Sequence, residues 1–239
     1  MSQLQIRLFG GFQVHLDAQP IRFPTQKVRA LFAYLSVEAK SAHPREKLMT
    51  LFWPEQSQNS ASNNLRQTLS RLRSVLPADT LLIRDNEIQF NPKSSHRVDV
   101  TAFVQAFSAK ALDDMAAASE LYQGDFQAHF SLLDSPIFEE WALLKREWLR
   151  SEALKMLHHL TLAYEQAERH EDAIHAARRQ VEIDSLHEVA WQQLMRNLAL
   201  AGRRSEALDQ FELCRQILEK ELEVEPAQET TQLAQQIRA

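Results

Sequence analysis

An internal repeat in the second half of the sequence constrains the fold of this chain more than any other feature. The segment LAYEQAERHEDAIHAARR at 162–179 matches RNLALAGRRSEALDQFEL at 196–213, and Ala173 and Ala207 occupy equivalent positions. A period of about 34 residues, with small residues where paired helices cross, is typical of tetratricopeptide-type helix pairs that stack side by side. The sequence therefore predicts a helical-repeat domain, which offers a curved surface to a protein partner or to another copy of the chain.

The sequence around this repeat is also helical in pattern. A turn joins the two helices of each repeat, and Gly202 stands at this turn in the second repeat, so we expect His170 at the turn of the first. A long helix is predicted after Pro136, and Pro226 opens a last one. Tryptophans at helical spacing in this region are interpreted as core residues: Trp141, Trp148 and Trp191.

Electric charge is divided unevenly along the chain. Residues 1–97 carry 13 Lys and Arg against 7 Asp and Glu, whereas residues 98–239 carry 14 against 25, so the net charge of −5 hides two unlike halves. Such an asymmetry indicates a basic nucleic-acid module followed by an acidic one. We therefore predict two domains, at 1–97 and 98–239.

The basic half has the order of elements of a winged helix. Short strands are predicted at 4–9, 12–16 and 21–23, helices at 25–37, 45–53 and 59–76, and a two-strand hairpin at 81–90. Thr25 is a suitable N-cap for the first helix, and Pro44 suits the first position of the second. Strands, three helices in quick succession and a β-hairpin define a winged helix-turn-helix. The predicted fold class is mainly α with a small antiparallel β part: an N-terminal winged helix followed by an all-α, tetratricopeptide-like domain.

Composition and motifs argue against an enzyme, a cofactor site and a membrane protein. The single Cys214 fits a reducing compartment. The sequence has neither a secretory signal nor an apolar stretch long enough to cross a bilayer, so we expect a cytoplasmic protein with no membrane partner. The 4 Gly form no phosphate-binding loop, and no nucleophile elbow or pair of catalytic carboxylates is present. His158 and His159 lack further ligands at a recognisable spacing. We therefore expect no metal, no cofactor and no catalytic site.

The helix predicted at 59–76 carries the candidate DNA-reading surface. Its apolar residues recur every three or four positions and form one stripe: Ala61, Leu65, Leu69, Leu72 and Leu76. The opposite side carries Asn, Gln, Ser and Arg, and no acidic residue occurs anywhere in the predicted helix. A solvated helix face usually mixes charges of both signs, whereas Arg, Asn and Gln donate to phosphates and base edges. The alternative is a plain amphipathic helix with a basic exposed side.

Short motifs along the chain match those of a known family in order and in spacing. They are Lys27, Arg29, Ala30 and Leu31; then Arg45, Leu48, Phe52 and Trp53; then Ser60, Ala61, Asn63, Leu65, Ser70, Arg71, Leu72 and Arg73; and, past the hairpin, VDVTAF, LYQGDF and EEWALLKREWL. Together they resemble the SARP-type bacterial transcriptional activators, whose OmpR-type winged helix precedes a bacterial transcriptional activation domain. Pro54 stands where many members have Gly, and the hairpin lacks their common Gly-Tyr pair.

This resemblance implies a transcription activator that binds double-stranded promoter DNA at repeated sites, often as a homodimer. It also implies contact with RNA polymerase or its sigma subunit. In the OmpR-type fold the loop before the reading helix can face the polymerase, which makes Glu55 and Gln56 candidate contacts, with a solvated turn as the alternative. Many members continue into an ATPase or sensor region, so the chain is either a short member or part of a longer regulator.

The candidate DNA-binding residues lie on the predicted reading helix and on the elements beside it. For base edges and the groove we predict Asn63, Arg66, Gln67, Ser70 and Arg71, and the family match adds Arg73 as a phosphate contact. Arg45, in the first turn of the preceding helix, is placed for a phosphate, and its alternative is an ion pair with Glu46 or Glu55. Arg84 near the hairpin turn and Lys93 beyond it are candidates for phosphate or minor-groove contact, with a solvated surface charge as the alternative. Trp53 is interpreted as a core residue.

A helical-repeat adaptor, whose winged helix binds protein instead of DNA, is the competing hypothesis. An adaptor would have neither an acid-free face on its third helix nor a DNA affinity that falls steeply with salt. The acid-free face is present, so we predict a sequence-specific DNA-binding transcription regulator and keep the adaptor as the alternative.

Overall fold

The structure, a computed structural model, describes residues 3–109 and 111–239. Its strands are β1 (Leu4–Arg7), β2 (Gln13–Leu16), β3 (Gln19–Pro20), β4 (His43–Pro44), β5 (Leu81–Arg84), β6 (Glu87–Phe90) and β7 (His96–Val98). Its helices are α1 (Gln26–Val37), α2 (Arg45–Phe52), α3 (Gln58–Val75), α4 (Asp99–Ala109), α5 (Leu112–Ser119), α6 (Pro136–Gln166), α7 (His170–Ile183), α8 (Glu188–Leu200), α9 (Arg204–Leu222) and α10 (Gln228–Arg238). The predicted fold class, mainly α with a small β part at the N-terminal end, is confirmed.

The described residues form two compact units. Unit 1 comprises residues 3–108 and 120–149, and unit 2 comprises 109, 111–119 and 150–239. The domain limits that we predict from charge, 1–97 and 98–239, stay a prediction. The compact unit that contains the winged helix also includes residues beyond position 97.

Unit 1 contains two small sheets, with strand orders β3-β2-β1-β7 and β4-β6-β5. Every pair is antiparallel except β1 with β7, which run parallel with Leu4 opposite His96. The antiparallel β part expected from the sequence is therefore confirmed, and the parallel pair of β1 with β7 is an addition to it. The addition joins strands far apart in the chain, a separation over which local patterning carries no pairing information.

The third strand lies two positions earlier than the sequence predicts. Asp17 and Ala18 both have positive φ, at +48° and +66°, and form a two-residue hairpin turn, so that β3 begins at Gln19. Glycine and asparagine are the usual residues of such turns, so an Asp-Ala pair in the sequence does not indicate a two-residue hairpin turn. The prediction of a strand at 21–23 is therefore wrong.

Hydroxyl side chains mark where α1 and α3 begin. Thr25 Oγ1 accepts a hydrogen bond from the Val28 N–H (3.3 Å), as expected of an N-cap, and Ser57 Oγ accepts one from the Ser60 N–H (3.4 Å). Pro44 lies one position earlier than predicted, at the N-cap of α2, because it belongs to β4, which pairs with β6.

The first part of α6 belongs to the core of unit 1. Phe138 is fully buried with its ring centroid 5.3 Å from that of Phe52, and the Trp141 ring lies 4.9 Å from Tyr34. These contacts pack residues after position 120 against α1 and α2 of the winged helix. Since Phe52 ends α2 next to the turn before α3, they also support the platform on which α3 lies.

Polar contacts of Glu38 reinforce this packing. The Glu38 carboxylate accepts a hydrogen bond from Trp141 Nε1 (3.1 Å) and pairs with Lys145 Nζ (3.0 Å). Burial would raise the pKa of Glu38, but the hydrogen bonds from Lys145 and Trp141 outweigh it, and the pKa is lowered.

The Asp99 carboxylate ties the start of α4 to the end of β1. It accepts hydrogen bonds from the backbone N–H groups of Leu8 (2.8 Å), Phe9 (3.0 Å) and Val100 (2.7 Å). Burial raises the pKa of Asp99, and the three N–H donors oppose that rise. Like the β1–β7 pair, this contact joins residues far apart in the chain.

Unit 2 has the same turn geometry at equivalent positions of the two repeats. Glu168 and Gly202 both have positive φ, at +55° and +79°. The next residue donates its N–H in the same way, from Arg169 to Tyr164 O (2.9 Å) and from Arg203 to the equivalent carbonyl (2.8 Å). The predicted repeat is confirmed, but the expected place of His170 is wrong, because the turn lies at 167–169 and His170 is the first residue of α7.

The core of unit 2 encloses the only cysteine of the chain. Cys214 on α9 is fully buried beside Trp191, Leu198 and Phe211. Burial raises the pKa of the Cys214 thiol to about 12. The thiol therefore stays protonated at neutral pH and is unreactive.

The three tryptophans that we interpret as core residues have different surroundings. Trp191 is 1% exposed, and Trp141 is half-buried against Tyr34. Trp148 is 43% exposed, so its assignment to the core is wrong. It lies about 100° round α6 from the buried Leu149, on a side of the helix that the core does not cover.

Candidate nucleic-acid interface

Helix α3 separates a buried stripe from an exposed polar face. Ala61, Leu65, Leu69 and Leu72 are buried, as their spacing predicts, and Thr68 joins them. The six predicted contact residues on this helix are all exposed: Asn63, Arg66, Gln67, Ser70, Arg71 and Arg73. The structure therefore presents the predicted polar face to solvent along the helix.

The arginines of this face have no carboxylate partner among the residues that the structure describes. Arg66 Nη2 instead donates a hydrogen bond to Asn63 Oδ1 (3.0 Å), which lies one helical turn before it. Ser74 Oγ donates to the carbonyl of Arg71 (2.8 Å). The positive charge of α3 is therefore not neutralised within the described part of the chain.

A depression of about 450 Å³ brings three arginines together at one edge of α3. Arg66 and Arg73 come from α3, and Arg45 is the first residue of α2; Ser70 and Ser74 also line the depression. Guanidinium and hydroxyl donors that line one depression suit a phosphate oxygen or a run of phosphates. Four of the predicted residues thus line one surface, and Ser74 joins them as a neighbour that was not a predicted contact.

Contacts of Arg45 connect this depression to the hairpin. The Arg45 N–H donates to the Asn86 carbonyl (2.9 Å), and its Nε donates to the Asp85 carbonyl (3.4 Å). The alternative of an ion pair with Glu46 or Glu55 does not occur among the described contacts. The sequence holds no local signal for this contact, because it depends on the pairing of β4 with β6.

The hairpin of β5 and β6 corresponds to the wing. Arg84 is exposed just before its turn, but the structure does not bring it into the depression with Arg45. Asp85 and Glu87 are exposed beside it, so the tip has mixed charge. Lys93 is also exposed beyond the second strand. These two cations therefore stand apart from the arginine cluster of α3.

The turn between α2 and α3 is ordered by side-chain contacts. Gln56 Oε1 accepts a hydrogen bond from Asn64 Nδ2, which fixes the turn against α3, while Glu55 is exposed. Trp53 is 7% exposed, in agreement with its interpretation as a core residue.

Neither a metal cluster nor a membrane span is found in the described part of the chain. Within residues 3–109 and 111–239, no three His, Cys, Asp or Glu side chains are grouped so that they could hold a metal ion. Over the same residues, every helix is too short or too polar to cross a bilayer.

Comparison with known proteins identifies a family and shows a similarity to solved structures. The profile of the bacterial transcriptional activator domain matches residues 99–238. The fold is similar to that of EmbR from Mycobacterium tuberculosis, solved in complex with a low-affinity phosphopeptide, with a TM-score of 0.74 and 21% sequence identity. The similarity covers 100% of this chain and 65% of the EmbR chain, so this chain spans less than two thirds of EmbR. No curated protein sequence matches this chain.

Proposed function

The chain belongs to the SARP-type bacterial transcriptional activators, and from this premise we propose that it binds promoter DNA sequence-specifically with the exposed face of α3. The observation that carries the proposal is the acid-free face of α3, whose arginines have no carboxylate partner among the described residues. We propose in addition that this chain acts as a transcription regulator and not as an enzyme.

Each residue of the face has a role that follows from its side chain. Arg66 and Arg71 suit guanine, and Asn63 and Gln67 suit adenine, because these side chains match the donor and acceptor patterns of those bases in the major groove. Ser70 lies between them and can bind a base edge or a phosphate. The hydrogen bond from Arg66 to Asn63 brings these two side chains together on the exposed face.

The flanking arginines suit the DNA backbone. Arg45 from α2 and Arg73 from α3 both line the depression beside α3, where phosphates of one strand would meet their guanidinium groups. Arg84, on the hairpin, is proposed as a separate backbone or minor-groove contact. Contacts of this kind supply affinity and register and carry no sequence information.

Promoter DNA is one of three proposed partners. As an activator, the protein would contact RNA polymerase or its sigma subunit in the cytoplasm, and Glu55 and Gln56 remain proposed contacts at the turn before α3. A homodimer would match a promoter with repeated half-sites. In this proposal residues 1–97 read the DNA and residues 98–239 serve activation.

Selection of bound sequences from a random pool of double-stranded DNA tests the proposal. The full chain should enrich one motif, and the spacing of repeated half-sites would give the stoichiometry. The affinity for the selected site should fall steeply between about 50 and 200 mM salt, because several phosphates are neutralised. A pool without enrichment, together with a flat salt dependence, would favour the protein-binding adaptor.

A further inference from the structure

The exposed large apolar side chains of unit 1 are confined to one short segment. Within the part of unit 1 that the structure describes, they all fall between residues 133 and 148: Leu133, Ile137, Leu143, Leu144 and Trp148. Single exposed apolar residues scattered over a surface are normal, but a concentration in one place marks an interaction site.

Three of these residues form what we call the apolar stripe of α6. Ile137, Leu144 and Trp148 follow one another at intervals of seven and four, which places them within about 40° of each other round the helix. They are 40%, 65% and 43% exposed. The stripe extends over three helical turns, about 17 Å, with Leu133 before its N-terminal end.

The helix that bears the stripe is held by its neighbouring side, which packs into the core of unit 1. Phe138 and Leu149, about 100–120° from Ile137 round the helix, are fully buried, and Trp141, which lies between them and the stripe, contacts Tyr34. A partner that binds the stripe therefore meets a rigid helix and does not have to order a mobile segment, which lowers the entropic cost of binding.

Acidic side chains border the apolar stripe. Glu140 and Glu147 lie on the helix about 60–80° from Ile137, between the stripe and Leu143. Both are exposed, and neither has a basic partner among the described residues. Lys145, on the other side of the stripe, is paired with Glu38 at 3.0 Å. The uncompensated charge beside the stripe is therefore negative.

Charge and size argue against a second copy of the chain as the occupant. A symmetric contact presents the same patch on both molecules, so two copies would bring the same uncompensated carboxylates together. A stable dimer also buries roughly 800 Å² on each partner, more than a stripe of three side chains supplies. A basic partner that binds transiently fits both observations.

We propose that the apolar stripe of α6 and its acidic border contact RNA polymerase holoenzyme, at a surface where Lys and Arg side chains border an apolar patch. This inference rests on the proposed function for the identity of the partner. The turn before α3 is already one proposed contact with the polymerase. The apolar stripe would be a second contact surface, and it lies after residue 97 in the sequence. Trp148 and Leu144 are the anchors, and the two carboxylates select a basic surface.

The test separates DNA binding from polymerase binding by measuring each with the full chain. The variants are Leu144→Glu, which places a charge in the stripe, and the double reversal Glu140→Lys with Glu147→Lys. The matched control is Leu213→Glu, which changes a similarly exposed leucine in the middle of α9. Affinity for RNA polymerase holoenzyme, purified from the bacterium that encodes the chain, is measured without DNA, and affinity for the selected site is measured without polymerase.

Leu144→Glu should lower the affinity for holoenzyme at least tenfold and reduce activated transcription from a template with the selected site, while DNA affinity stays within twofold. The double reversal should lower holoenzyme affinity roughly tenfold at low salt and by less at high salt, because exposed charges are screened. Leu213→Glu should behave as the unchanged chain.

Four results would overturn the inference. They are an unchanged chain that does not bind holoenzyme, a Leu144→Glu variant that binds it normally, a double reversal that binds it more tightly, and a dimer in sedimentation that Leu144→Glu dissociates. The last result would assign the stripe to a second copy. Failure to enrich a DNA motif would instead count against the proposed function, because the holoenzyme measurement does not involve DNA.

Discussion

Arginine has different surroundings in the two compact units. In unit 2, Arg203 Nη2 lies 2.6 Å from a Glu206 carboxylate oxygen, and Arg215 Nε lies 3.1 Å from Glu212. Arg169 at the first turn repeats the pattern with Asp172 at 2.8 Å. On α3 of unit 1, by contrast, the described contacts of the arginines include no carboxylate.

The difference shows how one residue type serves two purposes. Exposed ion pairs contribute only about 0–1 kcal/mol each, so the pairs of unit 2 stabilise it little, but they neutralise the cations that lie on its surface. The arginines of α3 keep their full charge for a ligand. Arginine content alone therefore says little about DNA binding. Whether a carboxylate lies within reach of each guanidinium determines whether its charge is available to DNA.

The arginines of α3 can bind DNA as proposed only if the core of unit 1 holds α3 rigidly. Phe138→Ala removes a fully buried ring that lies against Phe52, so we expect a loss of about 3–5 kcal/mol in the free energy of unfolding. Urea denaturation followed by tryptophan fluorescence measures it. Leu143→Ala, at an exposed position of the same helix, should change the free energy by less than about 0.5 kcal/mol. Equal stability of both variants would show that residues 120–149 do not belong to this core.

Replacing one arginine at a time tests whether the arginines of α3 and the paired arginines of unit 2 differ in their contribution to DNA affinity. Arg66→Ala or Arg71→Ala should weaken binding to the selected DNA by about 1–3 kcal/mol, because each is proposed to read a base. Arg215→Ala removes an arginine that is paired in unit 2 and should leave DNA affinity unchanged. Gel-shift titration measures all three, and equal losses at Arg66 and Arg215 would refute the contrast.

A backbone contact should behave differently from a base contact. Arg45→Ala should weaken binding to selected and unrelated DNA alike, and reduce the slope of log affinity against log salt by about one. Fluorescence anisotropy at four or five salt concentrations measures the slope. An unchanged slope would remove Arg45 from the interface and leave it with its contacts to the hairpin carbonyls.

Unit 1 also contains a structural ion pair, which resembles the pairs of unit 2 in purpose. Glu38→Gln breaks the pair with Lys145, which is partly exposed, so the expected cost at pH 7 is about 1 kcal/mol. The pKa of Glu38 is lowered below its ordinary value of 4.5, so this stability is present above pH 4.5 and is lost as the pH falls through the lowered pKa. Denaturation of both proteins over that pH range should show their difference shrinking on acidification. A constant difference would mean that the carboxylate charge is not what stabilises the contact.

The smallest effects concern the two equivalent turns of unit 2. Gly202→Ala places a side chain at φ +79° and should cost about 1 kcal/mol, whereas Glu168→Gly relieves φ +55° and should stabilise by about 0.5 kcal/mol or less, since glycine also loosens the unfolded chain. Thermal unfolding measures both. Effects of the same sign would show that the two turns are not equivalent.

Periodic features could be predicted from the sequence, and contacts distant in the chain could not. The stripe of Leu65, Leu69 and Leu72 marks the buried side of α3, and hence its exposed face, because helical spacing is a local property. The contact of Asp99 with the N–H groups of Leu8 and Phe9 joins two distant parts of the chain, and no local pattern encodes it.

The same limit applies to the candidate site and to the turns. The face of α3 follows from spacing, but the contact between Arg45 and the hairpin carbonyls depends on strand pairing. The positive φ of Glu168 could have been found from the repeat itself, because that residue aligns with Gly202 in the second copy. Trp148 has the helical spacing of a core residue, but it is exposed because it lies on a side of α6 that the core does not cover.

The buried thiol of Cys214 has a practical consequence. With its pKa raised to about 12, this sole cysteine does not compete for maleimide reagents at neutral pH. A cysteine introduced at an exposed position, such as Leu133→Cys, would therefore take up a single fluorophore without prior removal of the native one. Single-molecule fluorescence could then count how many copies of the protein occupy one promoter.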